Sequence, residues 1–357
     1  MAATSVIPFT SVANVTGDPV REIPSYKLGV TYPWLFFYIV FYAVIIFSSI
    51  VGNLLVIWSY IIEPKLQKST NIYIVSLAVA DFLTGLIGTP LAVLGRLVTG
   101  PYICYASTRS LFYVVAFMMC GISVNHLILI TVDRYIAITR PLNYPTIMTK
   151  RKCKIFAIIA WVVGGTVGAL PVLSPSPNPT LWVCGTTNFE NPTTGLHRFI
   201  AVGVLVGAMV FFCFAYLRIF CIAKQFVREK TERMKFQTKE EAAAQSHQSM
   251  IKTTVTTAIL IGAFVVCWLP TIVKFMIEDY NVIISTENQL FVIQTLAEVL
   301  SFANSMVNPI IYTFRNDLYR QTYAKIINKV FCRSKDKHSE RNRLSEMTLS
   351  STQTTKT

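Results

Sequence analysis

Residues 71–98 read NIYIVSLAVADFLTGLIGTPLAVLGRLV, apolar almost throughout, with Asp81 and Arg96 the only charged side chains. A helix needs about 20 such residues to cross the roughly 30 Å of hydrocarbon in a bilayer, and this stretch exceeds that. Lipid cannot hydrogen-bond free amides, so the segment must close its own backbone bonds as a helix; it is too long for a barrel strand. Six more stretches share the pattern, at 33–60, 108–138, 153–173, 199–222, 254–277 and 290–314. The sequence therefore reads as an all-α membrane protein, a seven-transmembrane helix bundle over residues 33–314. The longer stretches imply tilt, or projection beyond the bilayer.

Composition agrees. Of 357 residues, 53% are hydrophobic and 14% charged, with a mean hydropathy of +0.51. A soluble domain carries roughly 25% charged residues, so this chain cannot cover a water-facing surface, which excludes a disordered protein and opposes a soluble enzyme. Yet 32 Lys and Arg against 18 Asp and Glu leave a charge of +14. The charge is one-sided: 26 of the 32 basic residues, against 10 of the 18 acids, fall in the first, third and fifth connections, at their faces, and in the tail. By the positive-inside rule those segments are cytoplasmic and residues 1–32 form an extracellular tail. The basicity is thus a topology signal and implies no nucleic acid. Asn14-Val15-Thr16, the one N-x-[ST] sequon without proline, lies in that outer tail and makes Asn14 the N-glycosylation candidate. No signal-peptide core precedes Pro33, so the first span is expected to act as signal anchor. Residues 225–250 read as extensions of the fifth and sixth spans. Residues 315–332 read as a short interfacial eighth helix, and residues 333–357, polar and rich in Ser and Thr, as a disordered cytoplasmic tail.

Polar residues inside spans carry the functional signal, because they are costly there. Asp81 sits mid-span, and Asn53, Ser123, Asn304, Ser305 and Asn308 in other spans allow a polar cluster around it. That cluster is either a functional site or a network that only glues helices. Pro270 and Pro309 fall inside the sixth and seventh spans, where each removes a backbone hydrogen bond and kinks its helix. Two kinked helices beside a polar core suit a bundle that switches packing, although proline is also common in membrane helices. Asp133-Arg134-Tyr135 ends the third span and, taken alone, is consistent with a snorkelling anchor. Catalytic signatures (H-E-x-x-H, G-x-S-x-G, a P-loop) are missing, and His126, His197, His247 and His338 are scattered too widely for a metal site. The sequence reads as a non-enzyme. The alternative is a transporter or channel using Asp81 and Glu298 along a pathway, which the absence of an internal repeat opposes.

Asp81, Asp133-Arg134-Tyr135, Cys267-Trp268-Leu269-Pro270 and Asn308-Pro309-Ile310-Ile311-Tyr312 fall in order, one set per span, with Gly52-Asn53 in the first and Trp161 in the fourth. The series resembles the rhodopsin-like (class A) G-protein-coupled receptors over residues 33–332. It is nearest in look to the amine and melatonin-type branches but lacks the amine-binding aspartate. The resemblance implies an outward ligand pocket and an inner cleft for a heterotrimeric G protein, with no cofactor required. It assigns coupling and activation to Asp133, Arg134, Tyr135, Tyr216, Phe264, Trp268, Pro270, Asn308, Pro309 and Tyr312. Arg134 would meet the G protein, Tyr216 and Tyr312 would support the open state, and Trp268 with Phe264 would relay changes to the sixth span. Asp81, Ser123, Trp268, Asn304 and Ser305 match the family's sodium pocket, so an allosteric Na⁺ is implied, and no other metal. A carboxylate with hydroxyl and amide oxygens suits a hard cation.

Further implications concern the two surfaces. Of eight cysteines, only Cys104 and Cys184 lie in outer, oxidising segments, and they are the expected disulfide. The run from Cys104 to Asp133 is about a turn and a half longer than the family's, with Arg109 where the cysteine would fall, so either the third helix starts irregularly or the bond is displaced. Cys332, after the amphipathic segment 319–331, is a palmitoylation candidate or a free tail cysteine. Candidate ligand-pocket residues are Ala116, Phe117, Cys120, Phe275, Glu298 and Phe302, among apolar neighbours Met118, Met119 and Phe291 whose role is either ligand contact or helix packing. Ala116 stands where amine receptors carry their aspartate and Phe302 where opsins carry the retinal lysine, so both chemistries drop out. Glu298 would meet a cationic ligand or pair with Arg96 or Arg109. The ligand class is a small organic molecule or a peptide. Implied partners are the G protein, a receptor kinase and arrestin at the Ser/Thr-rich tail, and membrane lipid, at the plasma membrane. Three departures stand out: Ala208 replaces the usual proline of the fifth span, Val124 an isoleucine near Phe264, and Met250 an acid that often pairs with the arginine at 134. The last leads to an expectation of raised basal signalling.

Overall fold

The computed structural model describes residues 32–97, 106–173, 192–234, 241–279 and 287–329, and among them every regular element is helical. α1 (Tyr32–Ile62) is the first span. Pro64 ends it, and the Gln67 side-chain amide donates to the freed carbonyls of Tyr60 (3.1 Å) and Ile61 (3.2 Å). α2 (Ser69–Leu83) and α3 (Thr89–Leu97) form the second span, joined by a π-helical turn over Thr84–Gly88. The cause is next to it: Pro90 has no N–H and its ring would strike the carbonyl one turn back, and a wider turn relieves both problems. The turn nests between neighbours because of its glycines. A Cβ on Gly85 would lie 2.7 Å from Ser49 Cβ, and one on Gly88 3.4 Å from Ala116 Cα.

α4 (Ala106–Thr139) is the third span and the centre of the bundle, packing on the second, fourth, fifth and sixth. α5 (Tyr144–Ile147) is one turn in the connection to α6 (Lys150–Leu173), the fourth span. α4 and α6 approach backbone to backbone: a Cβ on Gly164 would lie 2.5 Å from the Ile122 nitrogen, Gly121 abuts the Gly164 carbonyl, and Gly168 abuts the Met118 backbone. Small residues four apart allow this closeness in a membrane, where no hydrophobic force pulls helices together.

α7 (Pro192–Met234) and α8 (Glu241–Asp279) are the fifth and sixth spans and extend into the 225–250 segment, as expected. α7 runs unbroken through Ala208, whereas α8 and α9 (Glu287–Arg315) each contain an internal proline, Pro270 and Pro309. A last helix, α10 (317–329), follows the seventh span; the Asn316 side chain caps it by accepting from the Leu318 and Tyr319 amides at 3.1 and 3.4 Å. Six helical stretches are long and apolar enough to cross a membrane among the described residues, and α9 falls below that measure. The reason is physical: Ser301, Asn304, Ser305 and Asn308 of α9 face the bundle rather than lipid, lowering its average hydrophobicity. Asn14, Cys104, Cys184, Cys332 and the tail lie outside the described residues.

Candidate functional site

The bundle holds two polar centres stacked along α4. The outer one surrounds Asp81, fully buried near the C-terminal end of α2. Ser305 Oγ donates to its Oδ1 at 2.9 Å, Asn308 Nδ2 to its Oδ2 at 2.7 Å, and Ser123 Oγ reaches Oδ1 at 3.4 Å. From α1, Asn53 Nδ2 donates to the Ser305 and Ser49 carbonyls, each at 2.9 Å. Side chains of the third and seventh spans are thereby tied to one carboxylate of the second, with the first span joined through the Ser305 carbonyl, and a buried charge is tolerable only when its oxygens are bonded in this way. Asn304 is buried on the same helix as Ser305. Two polar atoms in the neighbourhood, Asn53 Oδ1 and Trp268 Nε1, are buried with no hydrogen-bond partner among the described residues. A carboxylate, hydroxyls and amide oxygens suit a hard cation such as Na⁺, and the orphaned Asn53 oxygen is a further donor of that kind.

The inner centre is at the cytoplasmic end of α4. Arg134 turns back on its neighbour, with Nε donating to Asp133 Oδ2 at 3.1 Å and Nη2 closing the ion pair on the same oxygen. The other carboxylate oxygen accepts from the Tyr144 hydroxyl at 2.7 Å. Thr70 of α2 lies 2.8 Å from that phenol oxygen, and because the Tyr144 proton is committed to Asp133, the threonine is the donor. Burial, and then the Asp133 charge, push the Tyr144 phenol up to about 12, so it stays a donor at physiological pH. Arg134 is only 5% exposed, while Leu142, two residues before Tyr144, is 93% exposed. An arginine is sealed in, and an apolar side chain eight residues further along the chain is exposed.

Aromatic side chains link the centres. Trp268 packs on Phe264 (6.1 Å between centroids), and Phe264 meets Phe212 of α7 edge to face (5.9 Å, 85°) within a cluster that includes Val124 and Ala208. Tyr216 is half-buried against the same cluster. Tyr312 stacks on Tyr319 of α10 (5.7 Å), and Tyr319 packs on Tyr323. His126, between the two polar centres, is fully buried: Nδ1 lies 2.8 Å from the Ile122 carbonyl and Nε2 2.8 Å from Ser76 Oγ, which also accepts from Trp161 Nε1 at 2.9 Å. The carbonyl partner requires a proton on Nδ1.

Of the sequence-derived sites, the structure brings Ser123, Ser305 and Asn308 onto Asp81 and pairs Arg134 with Asp133. Pro270 lies six residues from Phe264 within α8, and Pro309 lies against Gly52 of α1, where a Cβ on the glycine would sit 3.0 Å from the proline ring. Tyr135, by contrast, is exposed on the outer face of α4. The proposed pocket residues meet different neighbours. Ala116 backs onto Gly88, Phe302 packs on Tyr42 of α1 (6.0 Å), Cys120 joins the core beside Phe264, and Phe117 is 46% exposed. Glu298 is partly buried, and the Phe275 side chain lies outside the described residues. Sequence reasoning missed Thr70, Ser76, Leu142, Tyr144 and Phe212. An unshielded leucine inside Pro141-Leu142-Asn143-Tyr144 was the one legible signal among them.

The sequence profile of the 7 transmembrane receptor (rhodopsin family) matches residues 52–312. Adenosine receptor A2b of Gallus gallus is 28% identical over 318 residues, 84% of this chain and 90% of the relative. Adenosine receptor A2a of Homo sapiens is 30% identical over 317 residues (81% and 71%), and histamine H2 receptor of Canis lupus familiaris 29% over 295 (79% and 77%).

Proposed function

This chain belongs to the rhodopsin family of seven-transmembrane receptors, and we propose that the arrangement around Arg134 is the closed, uncoupled form of its output site. The protein is a multi-pass membrane receptor and not an enzyme: it binds an extracellular ligand and activates a heterotrimeric G protein. The observation that carries the closed reading is the burial of Arg134 in a two-point ion pair with Asp133. Two of the five guanidinium N–H groups are spent on its neighbour, and burial withholds the others from a partner. Coupling therefore requires the inner half of α8 to swing away about Pro270 and Arg134 to part from Asp133, loosening the Tyr144 bond that holds the pair. The exposed Leu142, in the connection that follows α4, supplies an apolar contact for the G protein. Trp268 and Phe264 relay changes from the outer half, and Tyr216 and Tyr312 support the open form.

Asp81, Ser123, Asn304 and Ser305, beneath Trp268, would hold an allosteric Na⁺ that stabilises the carboxylate charge. The ligand is a small organic molecule. This reading rests on the relatives' names and on Ala116, which removes the counter-ion an ammonium ligand would need in the usual place; Glu298 is the acidic contact left for a cationic one. The receptor lies in the plasma membrane with its N-terminus outside, a glycan at Asn14, a Cys104–Cys184 disulfide and palmitate at Cys332. Its Ser/Thr-rich tail serves receptor kinase and arrestin, and its basic inner face meets anionic lipid. The test is a small-molecule library screened against a panel of G-protein activation sensors, with Arg134→Ala as control. A response that persists undiminished in Arg134→Ala at equal surface expression overturns the output site.

A further inference from the structure

Phe212 is one of the largest fully buried side chains of the bundle, yet no resemblance assigns it a role. It lies one helical turn inward of Ala208, where the family's proline is missing, on a helix that runs unbroken through the membrane. An unkinked helix does not bulge toward its neighbours, so contact with α8 must come from a longer side chain. The structure supplies one: the Phe212 ring meets Phe264 edge to face at 85°, with centroids 5.9 Å apart, while Phe264 leans on Trp268 from the other side. Val124, small and β-branched, belongs to the same buried cluster.

Phe264 lies six residues inward of Pro270, on the segment that must swing if the inner face is to open. Phe212 lies on a helix with no internal proline hinge among its described residues. We propose that Phe212 is the positioning residue that holds the sixth span shut in this receptor, taking over from the missing proline as the fifth-span stop for Phe264. The inference rests on the closed reading of the inner face. Edge-to-face packing aligns the positive edge of one ring with the negative face of the other and is lost when either ring slides. Opening therefore breaks this contact, and any variant that removes it favours the open form.

Phe212→Leu keeps most of the buried volume while deleting the ring; Phe212→Ala is avoided because its cavity could unfold the bundle. The full-length receptor in lipid nanodiscs is followed by hydrogen exchange and by ligand-free GTPγS exchange on a G-protein panel. Phe212→Leu is expected to raise amide exchange in residues 252–264, and ligand-free nucleotide exchange with it, by about two- to tenfold. Exchange in 127–139 of α4 should stay unchanged. Phe264→Leu should give the same effect, and the double variant no more than either alone. Uniformly faster exchange through the bundle, unchanged exchange in 252–264, or additive effects of the two variants overturns the proposal. If neither wild type nor either variant drives any G protein of the panel, the output-site reading fails, while the hydrogen-exchange comparison still decides whether Phe212 holds the sixth span.

Discussion

Replacing Tyr144 by phenylalanine removes one oxygen from the inner face and leaves everything else in place. That oxygen donates to Asp133 at 2.7 Å and accepts from Thr70. A hydrogen bond to a charged group contributes about 1.5–3 kcal/mol, and partial exposure of Tyr144 puts the value near the lower end, about 1.5 kcal/mol. What matters is how much of this is specific to the closed form. In that form Asp133 shares its charge between Arg134 and Tyr144; without the phenol it has one donor fewer and the pair is more exposed to water. If two-thirds of the contribution is lost on opening, the closed-to-open ratio shifts by about 1 kcal/mol, or roughly fivefold. A receptor about 1% open at rest becomes about 5% open, which basal second-messenger production resolves. The assay compares Tyr144→Phe, Thr70→Val and wild type at matched surface expression, beside receptor-free cells. The expected order is Tyr144→Phe above Thr70→Val above wild type, because Thr70 acts only through the phenol. Wild type itself should exceed receptor-free cells, since Met250 leaves Arg134 without a partner acid at that position. Equal output from Tyr144→Phe and wild type would mean that the phenol holds Asp133 as firmly in both forms, and the reasoning would fail.

Gly164→Val should weaken the receptor more than any exposed substitution, because even the first added carbon meets the Ile122 nitrogen at 2.5 Å; the two spans must part, at a cost of about 1–3 kcal/mol. The loss is read as a lower apparent melting temperature in detergent, and a value equal to wild type would contradict the backbone contact. Asp81→Asn should abolish any effect of NaCl, relative to choline chloride, on agonist affinity, while leaving the chain folded, since one of Ser305 and Asn308 keeps an oxygen to bond and the other can turn its own oxygen to the new amide. Retained sodium sensitivity would move the ion elsewhere.

Six spans stand out by length and hydrophobicity, because lipid imposes both, while the seventh, diluted by Ser301, Asn304, Ser305 and Asn308, is legible as a weaker apolar stretch. Asp81 and its partners were also legible, since any carboxylate in such a segment needs donors and few were available. Three things were hidden. A sequence cannot tell lipid from core when both are apolar: α1 buries Tyr42 and Ile45 and exposes Phe36, Phe41 and Phe47 with no polar face to mark the difference. Tyr144 reads as an ordinary loop tyrosine, since its partner is eleven residues back and reached only once the chain turns. The π-helical turn depends on Pro90 together with two glycines facing different neighbours, a combination visible only after packing.

α7 runs on for 12 residues beyond the apolar segment that ends at Ile222, and α8 begins 11 residues before its own, which starts at Lys252. At 1.5 Å per residue each overhang is about 17 Å of helix standing clear of the hydrocarbon. From Pro270 to the start of α8 at Glu241 the arm is about 44 Å, so ten degrees of bend at the proline carries that tip about 8 Å. A rotation too small to notice inside the bilayer becomes a displacement at the tip as large as a protein side chain, within the range of a pair of fluorescent labels.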